Sequence, residues 1–173
     1  MGWQALSVDD ALALKYPEWL LFVVTGDSTG RYDLMPAGWA MQCSIDPPML
    51  AVALHRDRHS LAVIRQTREF VLAFAGVGQH ELITWSGSCS GRSVDKFAQR
   101  AIAWSPGEAT GLPLIDGCAL AFECRLAEEL AAGDHVILSA HLLAAHVADP
   151  PTERLTNFGG WYAPAVAVPD DVC

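Results

Sequence analysis

Five runs of apolar residues, each too short for an ordinary helix and rich in β-branched or aromatic side chains, punctuate the chain. They are Leu20–Thr25, Met49–Leu54, Phe70–Ala75, Leu120–Leu126 and Val136–Val147. Runs of that length and content predict strands, some of them buried on both faces. Gly26-Asp27-Ser28-Thr29-Gly30 follows the first run with the composition of a hairpin turn and leads into a further strand from Leu34 to Cys43. Helical signals are confined to connections. Ser7 caps a lead-in helix that ends at Lys15 before Pro17, Ser60 heads Leu61–Arg68, Gln79–Trp85 makes one or two turns, and Ser93 heads a short helix carrying Asp95, Lys96 and Phe97. Many strands with a few short helices, without a βαβ repeat, predict a mainly β fold: an antiparallel barrel, closed or split. No repeat, low-complexity tract or linker divides the chain, so residues 1–173 are expected to form one domain. Residues 149–173 read as a C-terminal arm, proline-rich yet carrying Phe158, Trp161 and Tyr162, and therefore expected to pack on something.

Composition narrows the partners. An apolar share of 51% in 173 residues is enough for a sizeable core, and 11 basic against 20 acidic residues give a net charge of −9. Such a field repels nucleic acid and anionic membrane surfaces, so neither is an expected partner. The first eleven residues lack a signal-peptide pattern and no window approaches 18 consecutive apolar residues, which points to a soluble, cytoplasmic protein. Five cysteines (Cys43, Cys89, Cys118, Cys124, Cys173) without a Cys-x-x-Cys pair favour reduced thiols. His55-x3-His59 has the spacing of helical metal ligands but only Asp57 as a local acid, so no metal site is expected.

The basic residues cluster. Arg56, Arg58, Arg65 and Arg68 share one window and Arg92, Lys96 and Arg100 another, seven of the eleven in all. Arg58-His59-Ser60 falls where a helix begins, and unpaired amides at such a start suit an anion. Arg65, Arg68 and Arg100 read instead as a solvated helix face. Ser88–Phe97 combines hydroxyls, Gly91 and Lys96 in a loop whose backbone can approach an anion closely, although it lacks the P-loop spacing. Gly87-Ser88-Cys89-Ser90-Gly91 also fits a nucleophile elbow with a cysteine. That hydrolase alternative requires a strand immediately before the elbow and a long helix after it. Met35-Pro36-Ala37-Gly38-Trp39 interrupts a strand with proline and glycine, either as an edge strand with a buried tryptophan or as a place where a flat ligand meets the backbone. Asp134-His135 after Gly133 reads as turn chemistry or as a proton donor at a pocket rim. His135 and His141 share strand parity, while His146 faces the other way unless a bulge intervenes.

Several segments together resemble the flavin reductase-like family of FMN-binding split barrels, which includes flavoredoxins and flavin reductases. They are Val23–Gly30, Leu34–Trp39, Ser44–Val52, Arg58-His59-Ser60, Glu69–Val71, Ser90–Phe97, Pro113–Cys118, Glu123-Cys124 and Gly133-Asp134-His135, in the family's order, with Leu155–Gly160 similar to one branch. The resemblance implies one non-covalent FMN per subunit at the interface of a homodimer. Met35, Pro36, Ala37, Gly38 and Trp39 would line its isoalloxazine and ribityl chain, and Arg58, His59 and Ser60 would hold the phosphate. Ser90, Gly91 and Lys96 would complete that pocket, with Ser44 and Phe158 as further contacts, and His135 as the candidate catalytic group. The chain departs from the pattern at Asp33, where asparagine is common, at His59, where tyrosine is usual, and at Gly38, where a small hydroxyl residue is frequent. The implied activity is an FMN-dependent oxidoreductase passing electrons from NADH, NADPH or a protein donor to a flavin or another acceptor. A non-catalytic flavin-binding or sensing module is the alternative. The C-terminal arm is expected to reach the partner's flavin pocket.

Overall fold

The computed structural model describes residues 2–160 and 162–164. Trp161 and Cys173, which the sequence reading placed in the arm and among the thiols, lie outside the described residues. The chain opens with α1 (Val8–Ala13), whose first turn is capped by Ser7 Oγ accepting from the Asp10 amide. There follow β1 (Glu18–Trp19), β2 (Leu21–Gly26), β3 (Tyr32–Ala37), β4 (Ala40–Ser44) and β5 (Met49–His55). Next come α2 (His59–Thr67), β6 (Glu69–Ala75), α3 (His80–Ser88), α4 (Lys96–Arg100) and the pair β7 (Trp104–Pro106) and β8 (Pro113–Ile115). The long strands β9 (Cys118–Ala132) and β10 (His135–Val147) precede the short β11 (Leu155–Asn157) and β12 (Tyr162–Pro164).

Seven strands form one antiparallel sheet in the order β3-β2-β6-β9-β10-β5-β4. Its two outermost strands are consecutive in the chain, joined only by Gly38 and Trp39. Laid flat, seven strands span about 29 Å at the usual spacing, whereas the three steps from Ala37 to Ala40 reach at most about 11 Å. The sheet is therefore rolled until its edges meet, without a β3–β4 ladder to close it. This corrects the expected single strand from Leu34 to Cys43: the chain breaks at Gly38-Trp39, where it crosses from one edge to the other. Pro36 is tolerated because β3 pairs with β2 alone, and Trp39 is half exposed rather than buried.

Alternate residues of each strand fill two cores. Leu21, Val23, Met35, Val52, Leu54, Phe70, Leu72, Leu126 and Leu138 meet Leu61 and Ile64 of α2 inside the roll. Phe22, Val24, Leu34, Val71 and Ala73 point outward and are covered by Ile83 of α3, Leu112, Ile115 and Leu155. The arm docks on its own chain, with β11 antiparallel to β1 and Arg154 bridged to Gly76. A bulge between Leu142 and Ala144 reverses the parity of β10, so His146 faces outward with His135 and His141.

Two caps differ from expectation. Arg58 occupies the N-cap of α2 and makes no side-chain cap, a guanidinium having no acceptor to offer the amides, while the expected cap Ser60 donates its hydroxyl to Asp33 Oδ2 at 3.1 Å. Asp95, not Ser93, caps α4 by accepting from the Ala98 amide at 3.0 Å. The described cysteines are free thiols, and burial pushes Cys118 and Cys124 up to about 12. Among the described residues no helix is long and apolar enough to cross a membrane.

Candidate functional site

The start of α2, the end of α3 and the loop leading to α4 converge on a cavity of about 280 Å³. Arg58, His59 and Ser60 line it from one side, Ser90 and Gly91 from the other, with Met35, Asp33 and Lys96 completing the wall. Both windows that the sequence singled out as basic therefore meet in space. The N-cap of α2 is an arginine without a side-chain cap, so the amides of the first turn have no partner from that residue.

The arginines of the first window divide by contact. Arg56 is turned onto the β9–β10 turn, donating to the Gly133 and Asp134 carbonyls. Arg65 forks onto Glu129 at 2.8 and 2.9 Å, which raises its pKa, and Arg68 donates to the Leu126 and Ala127 carbonyls. Arg58 alone of the four lines the cavity and carries no ion pair among the described residues.

A second cleft of about 170 Å³ adjoins the first and shares Met35 and Arg58 with it. Pro36, Ala37, Gly38 and Trp39 form one wall and His55 and His135 the other. His135 packs against Trp39 with ring centroids 4.8 Å apart and the planes tilted by 42°, and donates from Nδ1 to Asp134 Oδ1 at 2.7 Å. That hydrogen bond, the largest influence on Asp134, holds its carboxyl below the usual range and leaves His135 Nε2 as the ring's other polar atom. A third cleft beside Gly38 is lined by Tyr16, Glu18, Thr84 and the arm residues Asn157 and Tyr162. Phe158 directly follows Asn157, whose Oδ1 accepts from the amides of Gly159 and Gly160. The arm thus reaches the Pro36–Trp39 wall of its own chain.

Ser44 lines none of these clefts; it pairs with Met49 at the far end of β4. Sequence reasoning missed Asp57, Ser86 and Gly87, which also line the first cavity, beside Ser88 and Cys89 of the expected anion loop. The signal was the length of α3, which runs to Ser88 rather than stopping at Trp85. The same helix removes the hydrolase alternative: Cys89 follows a helix, not a strand, and its thiol contacts the Trp85 carbonyl at 3.6 Å.

The donor set suits a ligand with an anionic end and a flat apolar body. Arg58, the start of α2 and Ser90 line the polar cavity, and Met35 to Trp39 line the adjoining cleft. Asp33 Oδ1, buried and without a directed hydrogen bond, belongs to the same wall.

An FMN reductase (NADH) RutF from Stutzerimonas stutzeri is 30% identical over 122 residues, covering 69% of this chain and 67% of that protein. A flavin reductase (NADH) from Kitasatospora aureofaciens is 32% identical over 106 residues, 59% of this chain and 52% of that protein. The chain spans about half to three-quarters of the length of the curated relatives it matches. Among solved structures, an FMN-binding protein from Thermus thermophilus with bound 1-cyclohex-2-enone is 27% identical with a TM-score of 0.81, covering 97% of this chain and 98% of that one. The model of the flavin reductase like domain family matches residues 15–165, and with the rolled antiparallel sheet this shows that the chain belongs to that family.

Proposed function

We propose that the protein is an FMN-dependent oxidoreductase of flavin reductase or flavoredoxin type. The carrying observation is that the anion-binding cavity and the cleft along Met35–Trp39 are contiguous, sharing Met35 and Arg58. Arg58, His59 and Ser60 with Ser90 and Gly91 would enclose the phosphate, with Lys96 beneath them, and Pro36 to Trp39 would border the ring system. When bound without a covalent link, FMN supplies the redox chemistry, accepting electrons from NADH, NADPH or a protein donor and passing them to a flavin or another acceptor. His135, its orientation fixed by Asp134, is the residue positioned to hold a proton beside that cleft.

The functional unit in this reading is a homodimer in the cytoplasm. Support for the dimer comes from apolar surface around the clefts, where Trp39, Met41 and Ile45 are exposed together along β4 and its turn. A reducing compartment agrees with the free thiols.

The test is FMN titration of the purified protein, followed by anaerobic mixing with NADH and NADPH while the 450 nm region is monitored. Binding at micromolar FMN with bleaching by at least one donor is the expected result. A folded protein that fails to bind FMN sinks the proposal, and binding without reduction by any donor moves the protein to a non-catalytic module.

A further inference from the structure

Lys96, one of only two lysines in the chain, is 1% exposed. Its ammonium faces three acceptors: the Leu34 carbonyl at 2.6 Å, the Ser86 carbonyl at 3.0 Å and Asp33 Oδ1 at 3.1 Å. The two carbonyls take two of its three hydrogens in directed hydrogen bonds, and the third lies beside the Asp33 carboxylate in an ion pair without one. Asp33 takes the Ser60 hydroxyl on Oδ2, and Gly91 rests against the same carboxylate so closely that a Cβ there would overlap it. One buried carboxylate thus ties together the first turn of α2, the loop before α4 and the only lysine of the cavity.

We infer that Asp33 is a specificity-determining residue: it cancels the charge of Lys96 at the wall of the cavity, so that a phosphorylated flavin is told from its unphosphorylated parent by Arg58 and the α2 amides alone. The inference rests on the flavin reading above. Charges in a buried wall act through a lower effective dielectric than those in solvent, so the balance of this pair outweighs that of the exposed arginines. Removing the carboxylate charge leaves a buried cation whose nearest available counter-ion is the ligand's phosphate. Removing the lysine leaves a buried anion that repels it. Removing both restores neutrality.

The experiment titrates FMN and riboflavin, which share ring and ribityl chain and differ by the phosphate, into the full chain and three variants. These are Asp33→Asn, Lys96→Met and the double substitution, read by flavin fluorescence. The ratio of riboflavin to FMN dissociation constants is expected to rise about tenfold or more in Asp33→Asn and to fall about tenfold in Lys96→Met. In the double variant it returns to within about threefold of wild type. A ratio unmoved by Asp33→Asn overturns the inference. So does a double variant as unselective as Lys96→Met, because Lys96 would then contact phosphate directly. An unpaired buried lysine can prevent folding, and if Asp33→Asn does not fold, the double variant decides by the second criterion. Wild-type protein that binds neither flavin refutes flavin binding itself, a result separate from any change in ratio.

Discussion

Glu123 Oε1 and His146 Nε2 stand 2.8 Å apart on the outer face of the β9–β10 ladder, a contact that depends on the extra residue at Leu143. Without that bulge His146 would point into the inner core. The Glu123 carboxylate is fully buried and also accepts from the Ala109 and Thr110 amides and the Thr110 hydroxyl. Burial opposes its ionisation, but the Thr110 hydroxyl, His146 and the two amides together hold it down to about 2 from an ordinary 4.5.

A depressed carboxyl stabilises the fold above its unfolded-state pKa and loses that contribution as pH falls toward the folded one. Stability is therefore expected to drop between about pH 4.5 and pH 2, by on the order of 2 kcal/mol once solvent screening at His146 is allowed for. Urea unfolding at pH 7, 4 and 3 measures it, and Glu123→Gln should flatten the slope. Parallel acid profiles for the two proteins would show that Glu123 is not the source.

Arg58→Ala should raise the FMN dissociation constant by roughly 10- to 100-fold, the loss of one charge-assisted contact, and change riboflavin by less than about threefold. Arg65→Ala, whose guanidinium is occupied by Glu129, should leave both within about twofold. Equal losses for FMN and riboflavin at position 58 would place Arg58 away from the phosphate.

Gly91→Ala puts a methyl group onto the Asp33 carboxylate, which Ser60 and Lys96 hold from the other sides. The loop must move, at a cost of about 1–3 kcal/mol in stability or an equivalent loss of flavin affinity. Thermal unfolding with and without FMN separates the two. A variant with wild-type melting temperature and affinity would mean that this loop is free to shift.

Cys89→Ser should leave FMN binding and donor oxidation within about twofold of wild type: the residue lines the cavity, but its thiol contacts the Trp85 carbonyl and serine differs little from it in size. Loss of turnover with FMN still bound would assign chemistry to the sulfur.

What could be read from the sequence follows the range of the interactions. The β-branched runs of β2, β5 and β6 announce themselves, because burial on both faces leaves an unbroken apolar stretch. The second half of β9 lies beyond the apolar run Leu120–Leu126 and carries no pattern of its own; Glu128–Ala132 form a strand by pairing with β10. The basic windows pointed to the cavity, and the resemblance supplied Met35 to Trp39. The Asp33–Lys96 pair was hidden, since its partners lie 63 positions apart and no local pattern marks a buried ion pair. Ser60 looked like a cap and serves that pair instead.

The two-residue crossing at Gly38-Trp39 makes the seam of the barrel and the wall of the clefts one piece of chain. An occupant of those clefts would latch the roll through Gly38 and Trp39, which line two of them, since β4 is otherwise held by β5 alone. Occupancy and opening then compete, and ligand protection spreads unevenly through the sheet. Amide exchange in Ala40–Ser44 should slow first when FMN is added, while β6 and β9, paired on both sides, register it only through global unfolding.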